Sequence, residues 1–505
     1  MKLQGRQGPR AGAVLVAQQA RRAPQVRGTG GSIPPEQELE STYGAPVATG
    51  RFVWVANPTS GRVAYIDAQS YAIRVVEAGN APTVLAAVPS SGGDIAIVLN
   101  KLSLDATVLR AGEDGSLSTA SIAAPAGGNT WAISNDGRWA VAWSDARLAS
   151  NPDPVDGFQD LTVLDLTSGN EKSWVLTVGY RPVALAFDAS SKQAFAVTQD
   201  GVTVISLEGT PAVVRNIPLS DSIDDSSVGR DVSITPDGSY ALVRREGVAS
   251  ITAVALASGT RTELAMPGPV TDLDLSVAGD VAVAVIRDTS QVAILPIPGA
   301  IGSADQISTV AIDEGVVGSV SLASQSSTAL LYSNAVVSEI LTALPLDGSP
   351  ARSIKLRAPV LSVFPTPDAK HAIVLHSGAG VGSQYPSALS VVPIEAQLPA
   401  RIEGLDAYPL SVAIAPDGTR ALVATSDEAL QKYKLHVASM PSLAVDSIEL
   451  ASPPIAVGIV AGAKRGFVAQ RYADGRITFV DLVSGEARTL TGFELAAQVV
   501  DGGGK

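Results

Sequence analysis

The 505-residue chain contains no cysteine and only three histidines, and charged residues make up 17% of it. The absence of cysteine excludes disulfide frameworks, thiolate metal sites and cysteine nucleophiles. No uninterrupted apolar run approaches the roughly 18 residues that a transmembrane helix needs, so none is expected. The sequence also lacks a Gly-X-Ser-X-Gly elbow, a His-Glu-X-X-His motif and a phosphate-binding loop. Hydrophobic residues nevertheless reach 46%, which is enough to build a large core.

The charges are distributed unevenly along the chain. The formal net charge is −13, yet residues 1–35 carry six basic residues and no acidic one. We therefore predict a disordered basic arm over 1–45, a folded body over 46–500 and a disordered tail at 501–505. An apolar run at Ala11–Ala17 follows basic residues, as in a secretory signal, but the run is short and Gln18 does not fit the small-residue cleavage pattern, so no convincing signal peptide is predicted. A weak signal and a misassigned start remain the alternatives. Nucleic-acid binding is not expected, because the acidic body would repel phosphate.

A strand-turn-strand pattern recurs nine times along the chain. The clearest copies are TWAISNDGRWAVAW at 130–143, DVSITPDGSYALVR at 231–244 and SVAIAPDGTRALVAT at 411–425. Their turns lie 42 to 54 residues apart, with a mean of about 46. Apolar runs bounded by Asp-Gly indicate strands joined by tight turns. A second strand pair follows most copies, so each unit predicts a four-stranded antiparallel sheet, which is typical of a β-propeller blade.

The repeat resembles the YVTN-type β-propeller repeat, in which a strand ends in Ser-Pro-Asp-Gly, a second runs into Val-Ala-Asn and a third reads Val-Ile-Asp-X-X-Thr-Gly. The matching segments in this sequence are Pro236–Gly238, Pro416–Gly418, Phe52–Asn57, Val63–Asp67 and Val163–Gly169. The resemblance implies an all-β propeller that serves as a binding platform, a cell-surface protein or, less often, an enzyme. WD repeats are disfavoured because the chain has no Trp-Asp or Gly-His dipeptide. The segment Asp165–Trp174 is similar to the repeat of quinone-dependent dehydrogenases, but Leu264 and Leu490 replace its Trp in other units.

The two ends of the repeat region predict how the propeller closes. Residues 52–79 supply three strands with no innermost strand before them, and the chain continues into 493–500 after the ninth unit. We therefore predict that the chain ends pair in one blade and close a ring of eight to ten blades, ten by literal count. Two smaller propellers in tandem remain the alternative.

The longer connections are predicted to share one face of the propeller, where a rigid scaffold would present functional residues. Two of these connections are acidic. The loop 144–160 contains Asp145, Asp153, Asp156 and Asp160, and the loop 220–231 contains Asp221, Asp224, Asp225 and Asp231. Such oxygens could bind Ca²⁺, although Asp, Ser and Pro are also ordinary loop formers.

A further set of polar side chains is predicted at the mouth of the central channel. These residues precede the innermost strands: Asn80, Trp131, Tyr180, Arg181, Arg230 and Tyr408. Arg and Tyr either anchor a ligand or partner or fill the wide end of a large propeller. His376 begins a Gly-rich loop, where its imidazole is either a general base or a plain surface group.

Two functions are compatible with these patterns. We favour a non-catalytic, extracytoplasmic propeller that binds a protein or glycan through its loops, without a cofactor other than the calcium considered above. The alternative is a hydrolase similar to lactonase-type propellers, with Arg181 or Arg230 binding an anionic substrate and an Asp or His376 acting as base. Binding is preferred because the sequence shows no catalytic triad or metal cluster, and the location rests on the family resemblance. The oligomeric state is left open.

Overall fold

The computed structural model describes residues 43–493 except 91, 113, 151, 152, 154, 220–228, 324–326, 379–382, 396, 397 and 441. The described residues form forty strands, one short helix α1 (Gly299–Gly302) and four 3₁₀ turns. The strands make ten antiparallel sheets of four, which confirms the all-β propeller and gives it ten blades. No helix in the described part is long and apolar enough to cross a membrane.

Each blade is one contiguous stretch of chain whose four strands, called A to D from the centre outward, pair in chain order. Blades 1 to 5 are β1–β4 (Val47–Ala48, Phe52–Asn57, Arg62–Asp67, Ile73–Glu77), β5–β8 (Pro82–Val88, Asp94–Asn100, Asp105–Ala111, Leu117–Ala123), β9–β12 (Thr130–Ile133, Trp139–Trp143, Asp160–Asp165, Lys172–Thr177), β13–β16 (Pro182–Phe187, Gln193–Thr198, Gly201–Ser206, Ala212–Pro218) and β17–β20 (Arg230–Ile234, Tyr240–Arg245, Ser250–Ala255, Arg261–Ala265). Blades 6 to 10 are β21–β24 (Asp272–Leu275, Val281–Ile286, Gln291–Pro296, Ser308–Ala311), β25–β28 (Ser319–Leu322, Thr328–Tyr332, Ile340–Pro345, Arg352–Lys355), β29–β32 (Val360–Pro365, His371–His376, Ser387–Pro393, Arg401–Leu405), β33–β36 (Tyr408–Ile414, Arg420–Asp427, Lys432–Ser439, Ala444–Glu449) and β37–β40 (Pro454–Val460, Arg465–Gln470, Arg476–Asp481, Ala487–Thr491).

The A–B turns close through the Asp-Gly chemistry of the repeat. In blade 5 the Asp237 carboxylate accepts the backbone N–H of Ser239 at 3.0 Å. Gly238 has a φ of +70°, in the left-handed region that side chains rarely adopt. A Cβ at this position would also lie 2.7 Å from the ring of Phe195 in blade 4. Glycine is therefore needed both for the turn and for the contact with the neighbouring blade.

The Asp that ends strand C in the repeat motif is a structural residue. In three blades its carboxylate forms an ion pair with an Arg at the start of strand B. The same carboxylates accept backbone N–H groups from the C–D turn. The pairs are Asp67 with Arg51, Asp165 with Arg138, and Asp481 with Arg465. The carboxylate thus holds two turns together at one edge of the blade.

A separate apolar cluster lies at each of the ten interfaces between neighbouring blades. The cluster between the last and first blades joins Phe467 and Phe479 of blade 10 to Val53 and Ile66 of blade 1. Because this interface is packed like the others, the blades form one closed ring. The expectation of a single ring is confirmed, and the tandem alternative is wrong.

The innermost strand of blade 1 differs from the prediction that it comes from the C-terminal end. Val47–Ala48 pairs with β2 and occupies that position. A strand of two residues is too short to stand out as a sequence pattern, which explains the error. Residues 494–500, part of the predicted closing segment, lie outside the described residues. The two ends nevertheless meet, because the rings of Tyr43 and Phe493 pack edge to face with centroids 5.7 Å apart.

Buried carboxylates join the A strands of blades 6 and 7. Asp272 and Asp274 on β21 are less than 10% exposed. Their side chains accept the backbone N–H groups of Val320 and Leu322 on β25, each at 2.9 Å. The two aspartates therefore link neighbouring blades through hydrogen bonds to backbone N–H groups, as ladder hydrogen bonds link the strands within a blade.

We expect Asp274→Ala to lower the free energy of unfolding by about 1–3 kcal/mol, because the buried N–H of Leu322 would lose its carboxylate acceptor. Urea unfolding of the variant and the wild type measures this difference. The control Asp274→Asn keeps a carbonyl oxygen at the same position and should lose less than half as much. An alanine variant as stable as the wild type would contradict the bridging role.

Candidate binding face

The strand order determines which connections lie together. Strands A to D alternate in direction, so the B–C loops and the D–A connections lie on one face, which we call the loop face. The A–B and C–D turns lie on the opposite face, which we call the turn face. The longer connections recognised in the sequence all fall on the loop face.

Exposed large apolar side chains are concentrated on the loop face. Among the described residues there are eighteen, of which thirteen lie on the loop face, three on the turn face and two on strand D. The thirteen are Leu102, Leu104, Leu148, Val155, Val248, Val316, Val336, Val337, Leu361, Tyr385, Tyr408, Leu430 and Tyr472. Single exposed apolar residues are common on soluble proteins, whereas large apolar patches mark interaction sites. The unequal distribution therefore makes the loop face the candidate binding face.

Arg181 holds the longest B–C loop against the next blade connection. Its backbone N–H donates to the carbonyl of Gly157 at 2.8 Å. Its guanidinium donates to the backbone carbonyls of Asp156 at 3.0 Å and Asp153 at 2.8 Å, and lies over the Tyr180 ring, 5.2 Å from the centroid. The structure therefore brings together four residues that the sequence singled out: Asp153, Asp156, Tyr180 and Arg181. The contacts of Arg181 with the two aspartates are to their backbone carbonyls, so they hold the loop in position.

The carboxylates of this loop do not converge. Asp145 is buried and lies 2.6 Å from the guanidinium of Arg147. The Asp160 carboxylate accepts a hydrogen bond from a hydroxyl group on strand D at 2.7 Å. Asp153 and Asp156 each accept a backbone N–H two residues further along the chain. No three acidic or histidine side chains of the described residues form a group that could hold a metal ion, so calcium stays a prediction.

The second acidic loop contributes less to the described structure. Three predicted residues, Asp221, Asp224 and Asp225, lie outside the described residues. Asp231 forms an ion pair with Arg244 on strand B of the same blade. The guanidinium of Arg230 donates to the backbone carbonyl of Gln199 in blade 4 at 3.0 Å. Arg230 therefore links two neighbouring blades at the loop face.

His376 is buried, so the expectation of a surface imidazole is wrong. It ends strand B of blade 8, and its Nδ1 lies 3.0 Å from the carbonyl of Ala358. A carbonyl can only accept, so Nδ1 carries the proton and Nε2 accepts from the Ser390 hydroxyl at 2.8 Å. Burial lowers the pKa of His376 to about 4. The ring is neutral at pH 7 and has no exposed edge with which to act as a base.

His376 belongs to a recurring set of polar pairs between strands B and C, which we call the polar belt. The bonded pairs are Asn100 with Thr107, His376 with Ser390, Thr425 with His436, and Gln470 with Thr478. Eight of the ten blades carry Thr, Ser or His at the strand-C position of the belt: Thr107, Thr162, Thr203, Thr252, Thr342, Ser390, His436 and Thr478. One polar residue inside an apolar strand, repeated in successive units, was the sequence signal for this belt.

Two aromatic residues predicted at the channel mouth have different roles. Tyr408, the first residue of β33, is 55% exposed and remains a candidate contact residue. The indole N–H of Trp131 instead donates to the carbonyl of Val84 in blade 2 at 2.9 Å. Trp131, like Arg230, therefore joins neighbouring blades.

Sequence reasoning missed a groove of about 580 Å³ over blade 7. Its lining residues are Gly315, Val316, Val337, Ser338, Glu339, Ile340, Lys355 and Arg357. They come from the connection between blades 6 and 7, from the B–C loop of blade 7 and from the end of its strand D. The only sequence signal was the pair Val336-Val337, two apolar residues within a loop.

Neither a family model nor a curated protein matches the chain. A crystal structure of "the eukaryotic initiation factor" is similar, with 11% identity over 82% of this chain and 96% of that chain and a TM-score of 0.53. The Kuenenia stuttgartiensis hydrazine synthase is 12% identical over 61% and 95%, with a TM-score of 0.35. The dihydro-heme d1 dehydrogenase NirN is 15% identical over 70% and 72%, with a TM-score of 0.43. Identities this low bear on the fold alone, and only the first of these three similarities has a TM-score above 0.5. Together with the strand order, it identifies the chain as a ten-bladed β-propeller.

Proposed function

We propose that this chain is a non-catalytic β-propeller scaffold that binds a protein partner through its loop face. The observation that carries the proposal is the concentration of exposed apolar side chains on that face. Burial of apolar area drives protein association, and aromatic residues are enriched in interfaces. Five tyrosine or leucine residues of blades 8 to 10 supply such groups: Leu361, Tyr385, Tyr408, Leu430 and Tyr472. A protein is preferred to a glycan because most of the thirteen residues are aliphatic.

The polar residues considered for a hydrolase support the scaffold instead. Arg181 and Arg230 donate to backbone carbonyls, and Asp145 is paired with Arg147. His376 is enclosed between a carbonyl and a serine hydroxyl. We include the YVTN-type assignment and the extracytoplasmic location in the proposal, because both rest on the repeat motifs.

Site-specific photo-crosslinking tests the proposal. p-Benzoylphenylalanine is placed singly at Val155, Val337 or Leu430 on the loop face, in the full chain expressed in its native cells. Matched controls at Val277, Leu398 and Val483 lie on the turn face, and all six side chains are more than half exposed. We expect adducts of higher mass to form several-fold more often at the loop-face positions, as judged by immunoblot and mass spectrometry.

The identity of the adduct decides between the remaining possibilities. A protein adduct confined to the loop face supports the proposal. Equal or greater crosslinking from the turn face would overturn it, as would the absence of any protein adduct at all three loop-face positions.

A further inference from the structure

We propose that the groove over blade 7 binds a linear peptide segment of the partner in which an apolar side chain lies next to a carboxylate. This inference rests on the proposed function and specifies the chemistry of one contact within the loop face. It follows from the residues that line the groove and from the charges at its edge.

The floor and one side of the groove are apolar. Val316 and Val337 reach into it from different connections and are 38% and 86% exposed. Gly315 has a φ of +83°, and a Cβ there would lie 3.1 Å from Ile340. The glycine therefore lets the connection between blades approach Ile340 closely without covering the two valines. An apolar side chain from a partner would remove Val316, Val337 and Ile340 from contact with water.

The other side of the groove is basic. Lys355 ends β28, and Arg357 follows it after the buried Leu356, so the two exposed side chains emerge at the same edge. Within the described structure, neither cation has a carboxylate at ion-pair distance. Guanidinium groups bind carboxylates through two parallel hydrogen bonds. A carboxylate in the groove would therefore be attracted to the two positively charged side chains at this edge.

One acidic residue also lines the groove, at the same edge as the two cations. The backbone carbonyl of Glu339 accepts a hydrogen bond from the N–H of Leu356, which stands between Lys355 and Arg357. Two positive side chains and one carboxylate therefore lie at this edge, whereas the valines lie on the other side. A bound peptide is expected to place its apolar side chain against Val316 and Val337 and its carboxylate toward Lys355 and Arg357.

The size and the lining favour a short peptide over a sugar acid. The volume of about 580 Å³ falls within the range of sites for small ligands, about 300–1,000 Å³. It therefore suits a short extended segment and not a folded surface. A uronate would satisfy the two cations but would leave the valines beside hydroxyl groups.

Selection from a random octapeptide library displayed on phage tests the proposal with the full chain as bait. The double variant Lys355→Glu/Arg357→Glu serves for counter-selection. We expect enriched peptides that place Asp or Glu beside Leu, Val, Ile or Phe. Fluorescein-labelled versions should bind the wild type in anisotropy titrations, and the double variant should weaken binding by about 10-fold or more. Val337→Asp should weaken it similarly.

Matched variants on the turn face control for charge and exposure. Lys464→Glu and Val277→Asp alter exposed residues on the face opposite the groove. Each should change the affinity by less than about two-fold, because isolated surface charges contribute little. Thermal melts of all variants should match the wild type, since the substituted side chains are exposed.

Three results would overturn the proposal. The first is no enrichment over the double variant, and the second is enrichment of peptides without carboxylates. The third is an oligogalacturonate that binds more tightly than any selected peptide and loses affinity in the double variant, which would make the occupant a glycan. In each case, protein crosslinks from Val155 and Leu430 would still support the proposed function. If no protein crosslink formed at Val155, Leu430 or Val337, both the peptide-groove proposal and the proposed function would be contradicted.

Discussion

The Phe493→Ala variant is expected to unfold with a free energy about 3–5 kcal/mol lower than that of the wild type, the usual cost of removing a buried phenylalanine side chain. Phe493 is 2% exposed and packs against Tyr43 in the cluster between blades 10 and 1. This interface is special because no chain connection joins the two blades. Urea unfolding followed by tryptophan fluorescence measures the loss.

Phe195→Ala provides the matched control. Phe195 is fully buried in the cluster between blades 4 and 5, which are covalently connected. Its loss should cost a similar free energy but leave the ring closed. Hydrogen exchange should therefore speed up at both β2 and β38 in the Phe493 variant only. Equal exchange in the two variants, or a Phe493 variant within about 1 kcal/mol of the wild type, would contradict this account of closure.

Acidification from about pH 6.5 to about pH 4 is expected to remove about 5 kcal/mol of stability through His376 and His436 together. Burial lowers the pKa of each to about 4, against about 6.5 in an unfolded chain. The unfolded chain then binds protons at a higher pH than the folded one, so this stability is fully present above pH 6.5 and is lost as the pH falls through the folded pKa. A pKa difference of one is worth about 1.4 kcal/mol, so the difference between about 6.5 and about 4 gives about 3.5 kcal/mol for each histidine, of which about 2.5 kcal/mol is lost by pH 4.

The charged groups around His436 act in both directions. After burial, Lys434 is the next cause of its lowered pKa, whereas Asp406, Glu403 and Glu449 raise the pKa. For His376, the carbonyls of Pro359 and Ala358 raise the pKa but do not offset burial. Protonation of His376 would also reverse its hydrogen bond with Ser390, because the Ser390 hydroxyl would then have to accept from Nε2 and would lose the acceptor for its own proton.

The variant His376→Gln/His436→Thr isolates this effect with residues that other blades use in the polar belt. Gln470 and Thr478 form that pair in blade 10. The variant should lose most of the slope of stability between pH 6.5 and 4.5, measured by urea unfolding at each pH. Hydrogen bonds and ion pairs hold the pKa of Asp67 and Asp165 below 3.8 despite burial. The stability that these two carboxylates contribute is therefore lost at a lower pH. An unchanged slope in the double variant would contradict the role of the histidines.

The repeat could be predicted because local chemistry determines it. Asp-Gly turns such as Asp237-Gly238 need particular residues wherever they occur, and apolar runs of five to eight residues predict strands in every unit. The number of blades followed from counting these units. The Asp at the end of strand C, by contrast, was recognised as part of a motif, but its pairing with Arg51, Arg138 or Arg465 depends on the fold of the blade.

The candidate site was less predictable because it depends on contacts between distant segments. Residues 315, 337 and 357 are separated by about twenty residues each, and only the folded blade brings them around one groove. His376 was misplaced because the Gly-rich sequence after it suggests a surface loop, while its own position in the register of strand B encloses it. The residues of the two acidic loops share a composition that favours turns, which does not tell whether their carboxylates converge.

The contiguity of the blades has a consequence for how such a chain changes in length. Blade 1 takes its innermost strand from Val47–Ala48 and not from the far end, so no described blade combines strands from both ends. An in-frame duplication or loss of one unit of about 46 residues would therefore add or remove a whole blade without rewriting either terminus. The interface around Tyr43 and Phe493 would then need to adjust only to a slightly different angle between neighbours. Blade number in this architecture is thus open to change by single genetic events.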